Sequence, residues 1–190
     1  MVRHKIAIQT GQPRSLLSLI LAFTGGALCI ILLNMGINYT NTQEFCVSCH
    51  SMTFNLEEFK KTIHFKNPSG VQAKCQDCHV PQEFIPRLKA KIMAAPDVIH
   101  ELLGTMDTRE KFDQRRWRLA NRVWDKMEAN NSMACRSCHA LAQMDLAEQD
   151  KSARKRHARA ESEGKTCINC HKGIAHQEPQ EPEEPSAPST

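Results

Sequence analysis

The sequence predicts a mostly α-helical, loop-rich protein with one N-terminal membrane-spanning helix and a remainder built from two similar halves. Three observations predict it: an uncharged apolar stretch near the N-terminus, four copies of Cys-X-X-Cys-His at paired spacings, and few of the alternating β-branched runs that strands need. With 41% hydrophobic and 5% aromatic residues, the part outside the apolar stretch has little material for a protein-only core.

The first element is the apolar stretch. No charged residue occurs from Ser15 to Gln43, and Leu16 to Ile37 supplies 22 residues. At about 1.5 Å rise per residue that run crosses a hydrocarbon layer of about 30 Å. A cleaved signal peptide has a shorter apolar region and a small-X-small end, so the run reads as a retained anchor over 15–38. Arg3, Lys5 and Arg14 precede it, and the positive-inside rule then leaves residues 1–14 in the cytoplasm and exports everything after Tyr39. In a bacterium with two membranes, the protein is expected in the inner membrane with its main part in the periplasm.

The motifs are Cys46–His50, Cys75–His79, Cys135–His139 and Cys167–His171. Chance would place about 0.02 such pentapeptides in a chain of this composition, judged against the c-type haem attachment pattern. Each supplies two thiols (Cys46 and Cys49, Cys75 and Cys78, Cys135 and Cys138, Cys167 and Cys170) that add to the vinyl groups of one haem, beside a histidine placed to take its iron. Structural zinc would use paired cysteines but needs no histidine fixed after the second one in every copy. Four covalent c-type haems are expected, and they supply the core that the side chains lack. Only Cys29 is left over, so a disulfide framework is excluded.

The first two motifs start 29 residues apart and the last two 32, with 60 between the second and third. That spacing suggests a duplicated two-haem module, about 39–106 and 107–176, within a periplasmic domain spanning 39–176. His64 and His157 precede the second and fourth motifs in matching places, and a glycine before each motif supplies a turn. Between the modules, Phe84, Leu88 and Ile92 repeat at helical spacing, and Val98, Ile99, Leu102 and Leu103 continue an apolar face until Gly104. With Arg87, Lys89 and Lys91 opposite, this segment suits either a headgroup layer or the haem core. A second helix is predicted from about Thr108 to Ala129, opened by a capping box of Asp107 and Glu110, with Trp117 and Trp124 on one face against the core. Residues 177–190, rich in proline and glutamate, are expected to be disordered.

Four irons offer eight axial positions, of which His50, His79, His139 and His171 fill at most four. His4 is excluded by topology, which leaves His64, His157 and His176 as strong candidates and His100 as a weaker one. Met52, two residues after His50, is a candidate for the first iron, instead of His50 or opposite it, or an ordinary core methionine. The formal charge of +4 does not point to nucleic acid, because each ferric haem with its two propionates adds about −1 and cancels it. The basic run Lys151–Arg159 reads as a solvated face or as a surface that steers an acidic partner.

The segments NTQEFCVSCHSM, SGVQAKCQDCHVPQEF, ACRSCH and TCINCHKGIAH resemble the NapC/NirT family of membrane-anchored tetrahaem quinol dehydrogenases over Leu16–His176. The resemblance implies electron transfer from membrane quinol, menaquinol or ubiquinol, through the haems to a soluble periplasmic reductase, with nitrate reductase first among the partners and nitrite reductase next. It implies that His64 serves the third haem, His176 the second and His157 the fourth, with Met52 or His50 on the first. It also implies that Asp97 lies at the first haem as the quinol's proton acceptor, with Lys89 or Lys91 as the neighbouring base. A tethered carrier with no quinol site is the alternative.

Overall fold

The computed structural model describes residues 15–182. The cytoplasmic segment expected at 1–14, His4 included, and the tail from 183 onward lie outside the described residues. Among the described residues the chain is helical without a strand, and its contacts gather into two units, Met1–Thr40 and Asn41–Thr190.

In the first unit, helix α1 runs from Leu16 to Tyr39, capped by the Ser15 hydroxyl, which accepts from the Ser18 amide at 3.3 Å. Its 24 residues reach about 36 Å. Leu, Ile and Phe side chains cover its surface, and Leu16, Phe23 and Met35 are all largely exposed. The few polar groups are satisfied within the helix: Thr24 donates to the Ile20 carbonyl at 2.9 Å and Asn34 to the Ile30 carbonyl at 3.1 Å. That arrangement is what a lipid environment demands of a spanning segment.

The second unit begins with α2 (Gln43–Cys46) and α3 (His50–Phe59), followed by α4 (Cys75–His79), α5 (Phe84–Met93) and α6 (Ala95–Leu102). Then come α7 (Arg109–Ala129), α8 (Met133–Arg136), α9 (Lys151–Ala160) and α10 (Cys167–Cys170). The long helix α7 is the frame: α3 and α10 lie against it, while α4 contacts both α2 and α8. The chain reverses before the second and fourth motifs at Gly70 (φ 74°) and Gly164 (φ 63°), where a side chain would be strained.

The expected capping box at the start of α7 is not formed. Thr108 is the N-cap, its hydroxyl accepting from the Lys111 amide at 3.3 Å, and Asp107 instead pairs with the Lys111 ammonium at 2.6 Å. A residue one position closer to the helix, with a β-branched hydroxyl in extended conformation, outcompetes the aspartate for the free amides. Trp117 and Trp124 do meet, edge to face at 5.9 Å.

Protein-only burial is sparse. In the second unit the buried apolar side chains among the described residues are Phe59, Met106, Phe112 and Ile168. Polar clamps do part of the work. Glu58 of α3 binds Arg116 and Arg109 of α7 and accepts from the Gln177 amide at 2.8 Å, while Arg116 donates to the Gln177 carbonyl at 2.7 Å. The expectation of a free tail from Gln177 therefore fails at its first residue, because both backbone groups of Gln177 are held.

Candidate haem-binding site

The motifs form short helical turns. The second and fourth lie on α4 and α10, the third begins within α8 and runs past its end, and the first is split, with Cys46 ending α2 and His50 opening α3. One turn of helix puts both thiols of a motif on one side and the histidine ring next to them.

Three histidine pairs face one another. Ring centroids are 6.1 Å apart for His79 and His176, 6.2 Å for His64 and His139, and 5.9 Å for His157 and His171. A metal–imidazole bond of ~2.0–2.1 Å on each side of one iron puts the two ring centres roughly 6 Å apart. All three pairs join a motif histidine to one from outside the motifs, and the residues fit six-coordinate haem. Histidines outside the motifs pair differently: His157 faces the motif next to it, whereas His64 crosses to the third motif and His176 returns to the second. Among the described residues no group of three or more His, Cys, Asp or Glu side chains that could hold a metal ion is gathered.

Burial prepares these rings. It pushes His79 down to about 4, with His176 and Lys126 adding to the effect, so the imidazole is neutral and has a lone pair for a metal at physiological pH. His176 is likewise lowered, first by burial. The Nδ1 atoms of His64 and His176 are buried with no hydrogen-bond partner. Burial also pushes the Cys78 thiol up to about 11, with Cys135 the next contributor, because the second and third motifs are adjacent.

His100 faces no other histidine. Its Nδ1 lies 3.2 Å from the Thr105 hydroxyl, which itself donates to the His100 carbonyl, so Nδ1 is the donor of that pair. At the first motif, His50 packs edge-on against Phe54 at 5.5 Å and Met52 sits 3.9 Å from the Asn55 amide. Residues two apart on a helix point to different sides, so His50 and Met52 of α3 do not grip one iron between them.

Asp97, in the first turn of α6, pairs with Arg122 of α7 at 3.1 Å through Oδ1. It lines a cavity of about 410 Å³ that also meets Cys78, His79, Lys126 and Met127. Lys89 and Lys91 are not part of that wall. Lys91 is half-buried near Cys46, and burial lowers its pKa.

Several supporting residues escape sequence reasoning. Gln149 holds His157 by an Oε1···Nδ1 contact of 2.7 Å, which leaves Nε2 of that ring for a metal. Glu101 of α6 grips Ser51, accepting from its amide at 3.1 Å and its hydroxyl at 2.6 Å, and so fixes α3 directly behind the first motif. Ser132, fully buried in a left-handed conformation (φ 50°), accepts from the Ile168 amide at 3.1 Å and ties the third motif to the fourth. Partners 36 to 58 residues apart leave no local pattern to read.

A helical chain that brings Cys-X-X-Cys-His turns and opposed imidazoles together in this way is a multihaem c-type cytochrome. The profile of the NapC/NirT cytochrome c family, N-terminal region, matches residues 10–181, and the chain belongs to that family. It is 56% identical over 175 residues to a protein of Allochromatium vinosum named for a tetraheme c-type cytochrome, covering 92% of this chain and 95% of that one. It is 44% identical over 174 residues to the cytochrome c-type protein NapC of Paracoccus pantotrophus, covering 88% and 73%. It is 46% identical over 155 residues to the cytochrome c-type protein TorC of Escherichia coli K12, covering 81% of this chain and 40% of that one. No solved structure matches the chain significantly.

Proposed function

We propose that the protein is a membrane-anchored tetrahaem quinol dehydrogenase of the bacterial inner membrane, with its haem domain in the periplasm. It takes electrons from menaquinol or ubiquinol and passes them to a soluble periplasmic reductase, nitrate reductase in the first instance. The observation that carries this reading is the contrast between three motifs with an opposed imidazole and a first motif without one. Each haem, when bound, supplies a one-electron iron couple. The pairs His79/His176, His139/His64 and His171/His157 would hold three irons, and Met52, half-buried where His50 is exposed, would hold the first. With no second imidazole beside it, the first haem would be the one that a two-electron reductant approaches. α1 fits a single-pass anchor that keeps the haem domain at the quinol's own phase.

Quinol oxidation also releases protons. Asp97, anchored through Oδ1 by Arg122 and lining the cavity beside His79, is the proton acceptor in this reading. Lys91, half-buried beside the first motif, is the neighbouring base, and Lys89 its exposed companion.

A pyridine haemochrome assay should find four haems per chain. Purified holoprotein in detergent should be reduced by a menaquinol or ubiquinol analogue, and Asp97→Asn should slow that reduction by about 10²-fold, the usual worth of a positioned proton acceptor, with dithionite reduction unchanged. Equal quinol rates for the two proteins would remove Asp97 from the reaction; no quinol reduction at all would leave a tethered carrier. Similarity to TorC and TorY proteins at 42–46% identity favours a second reading of the acceptor, in which another periplasmic reductase replaces nitrate reductase. Turnover with nitrate, nitrite and trimethylamine N-oxide reductases separates them.

A further inference from the structure

Helices α5 and α6 are inside out for a water-soluble domain. The two carboxylates between Phe84 and Leu103 are both tied to other helices of the unit, Asp97, itself about half exposed, to Arg122 of α7 at 3.1 Å and Glu101 to Ser51 of α3 at 3.1 and 2.6 Å. Arg87 likewise spends its guanidinium on the backbone carbonyls of Pro81 and Gln82. With the polar side pinned inward, the helical periodicity forces the apolar side out. Ile92, Val98, Ile99, Leu102 and Leu103 are between 49% and 82% exposed. Contiguous exposed apolar surface of this kind marks a contact site. No acidic group interrupts it, and the exposed Lys89 stands at its edge, a cation on a long apolar stem.

We propose that the outward face of α5 and α6 lies in the lipid surface, as a second membrane contact made by the haem-bearing unit itself. The occupant is the bilayer, for three reasons: the same chain has a helix that fits a membrane span, the exposed face carries no carboxylate to be repelled by anionic headgroups, and Lys89 is placed to meet a phosphate. The inference does not depend on quinol chemistry; a chain that oxidised no quinol would still show it.

The test uses full-length holoprotein in vesicles of phosphatidylethanolamine and phosphatidylglycerol. In a Cys29→Ser background, where the motif cysteines are held as thioethers, a nitroxide is attached at Leu102→Cys and, separately, at Leu103→Cys. Arg118→Cys, exposed on α7, is the control, and an unchanged haem content shows that each variant is assembled. The expected result is a severalfold higher ratio of oxygen to nickel-chelate accessibility at 102 or 103 than at 118. Equal ratios would overturn the proposal. So would a label shielded from both reagents, which means packing within the protein, or a label–label distance that reports a second copy on this face.

Discussion

At the scale of single residues, the fourth haem's surroundings are the most fully specified. Gln149 accepts from Nδ1 of His157, so the ring is held in one tautomer and made a stronger electron donor through Nε2. Gln149→Leu removes that acceptor, weakens donation to a ferric iron, and should raise the potential of one haem of the four. Spectroscopic redox titration reads this directly, and an unaltered set of potentials would separate Gln149 from the ligand. The motif cysteines and their adjoining histidines were legible in the sequence, because covalent attachment demands a contiguous pentapeptide. Glu101 and Ser132 were not, because a polar side chain that reaches across a fold has no required spacing, and Gln149, eight residues from His157, sits in a loop with no helical period to read.

Among elements, the clamp between α3, α7 and the segment after His176 sets how the second haem's site is closed. Glu58 and Arg116 are both nearly buried, and they hold Gln177 by its amide and its carbonyl. Burial alone would raise the Glu58 pKa, but bonds from Arg116 and the Gln177 amide, with Arg109 nearby, outweigh it and bring the carboxyl below its usual range. A depressed folded value means that the stabilisation is fully present above the unfolded pKa of about 4.3 and is lost as pH falls through the lower folded value. Glu58→Gln should therefore flatten the acid limb of holoprotein stability below about pH 4.3. Glu58→Ala, which strands the Arg116 guanidinium, should cost about 3–5 kcal/mol in denaturant titrations at neutral pH. If Glu58→Ala matched the parent chain, the clamp would have no structural weight. The long helices were legible here too, since α7 and the α5–α6 pair follow apolar periodicity; the start of α7 was read to within a residue, and only its cap was misassigned, because Asp107 and Thr108 both qualify.

On the scale of the whole molecule, the second unit has few buried apolar side chains and many polar ties. Its stability must then be shared with what the opposed imidazoles grip. Cys135→Ser with Cys138→Ser, which blocks attachment at the third motif, should yield little protein with the other three haems in place, because His64 loses its opposite ring's cofactor and α8 its hold on α4. Recovery of a stable three-haem protein at parental levels would show that the side chains suffice. The number of motifs was legible in the sequence. The pairing of the rings was not visible in their spacing, because similar segments at His64 and His157 face rings in different places.

The far-reaching return of His176 to the second motif bears on how the protein is made. The second Cys-X-X-Cys-His is synthesised well before the ring that faces its histidine, which lies far along the chain at His176. A haem attached to that motif before His176 is in place would be gripped from one side alone. A chain clipped just before Lys172 would leave its gap near the middle of the relay and not at its end.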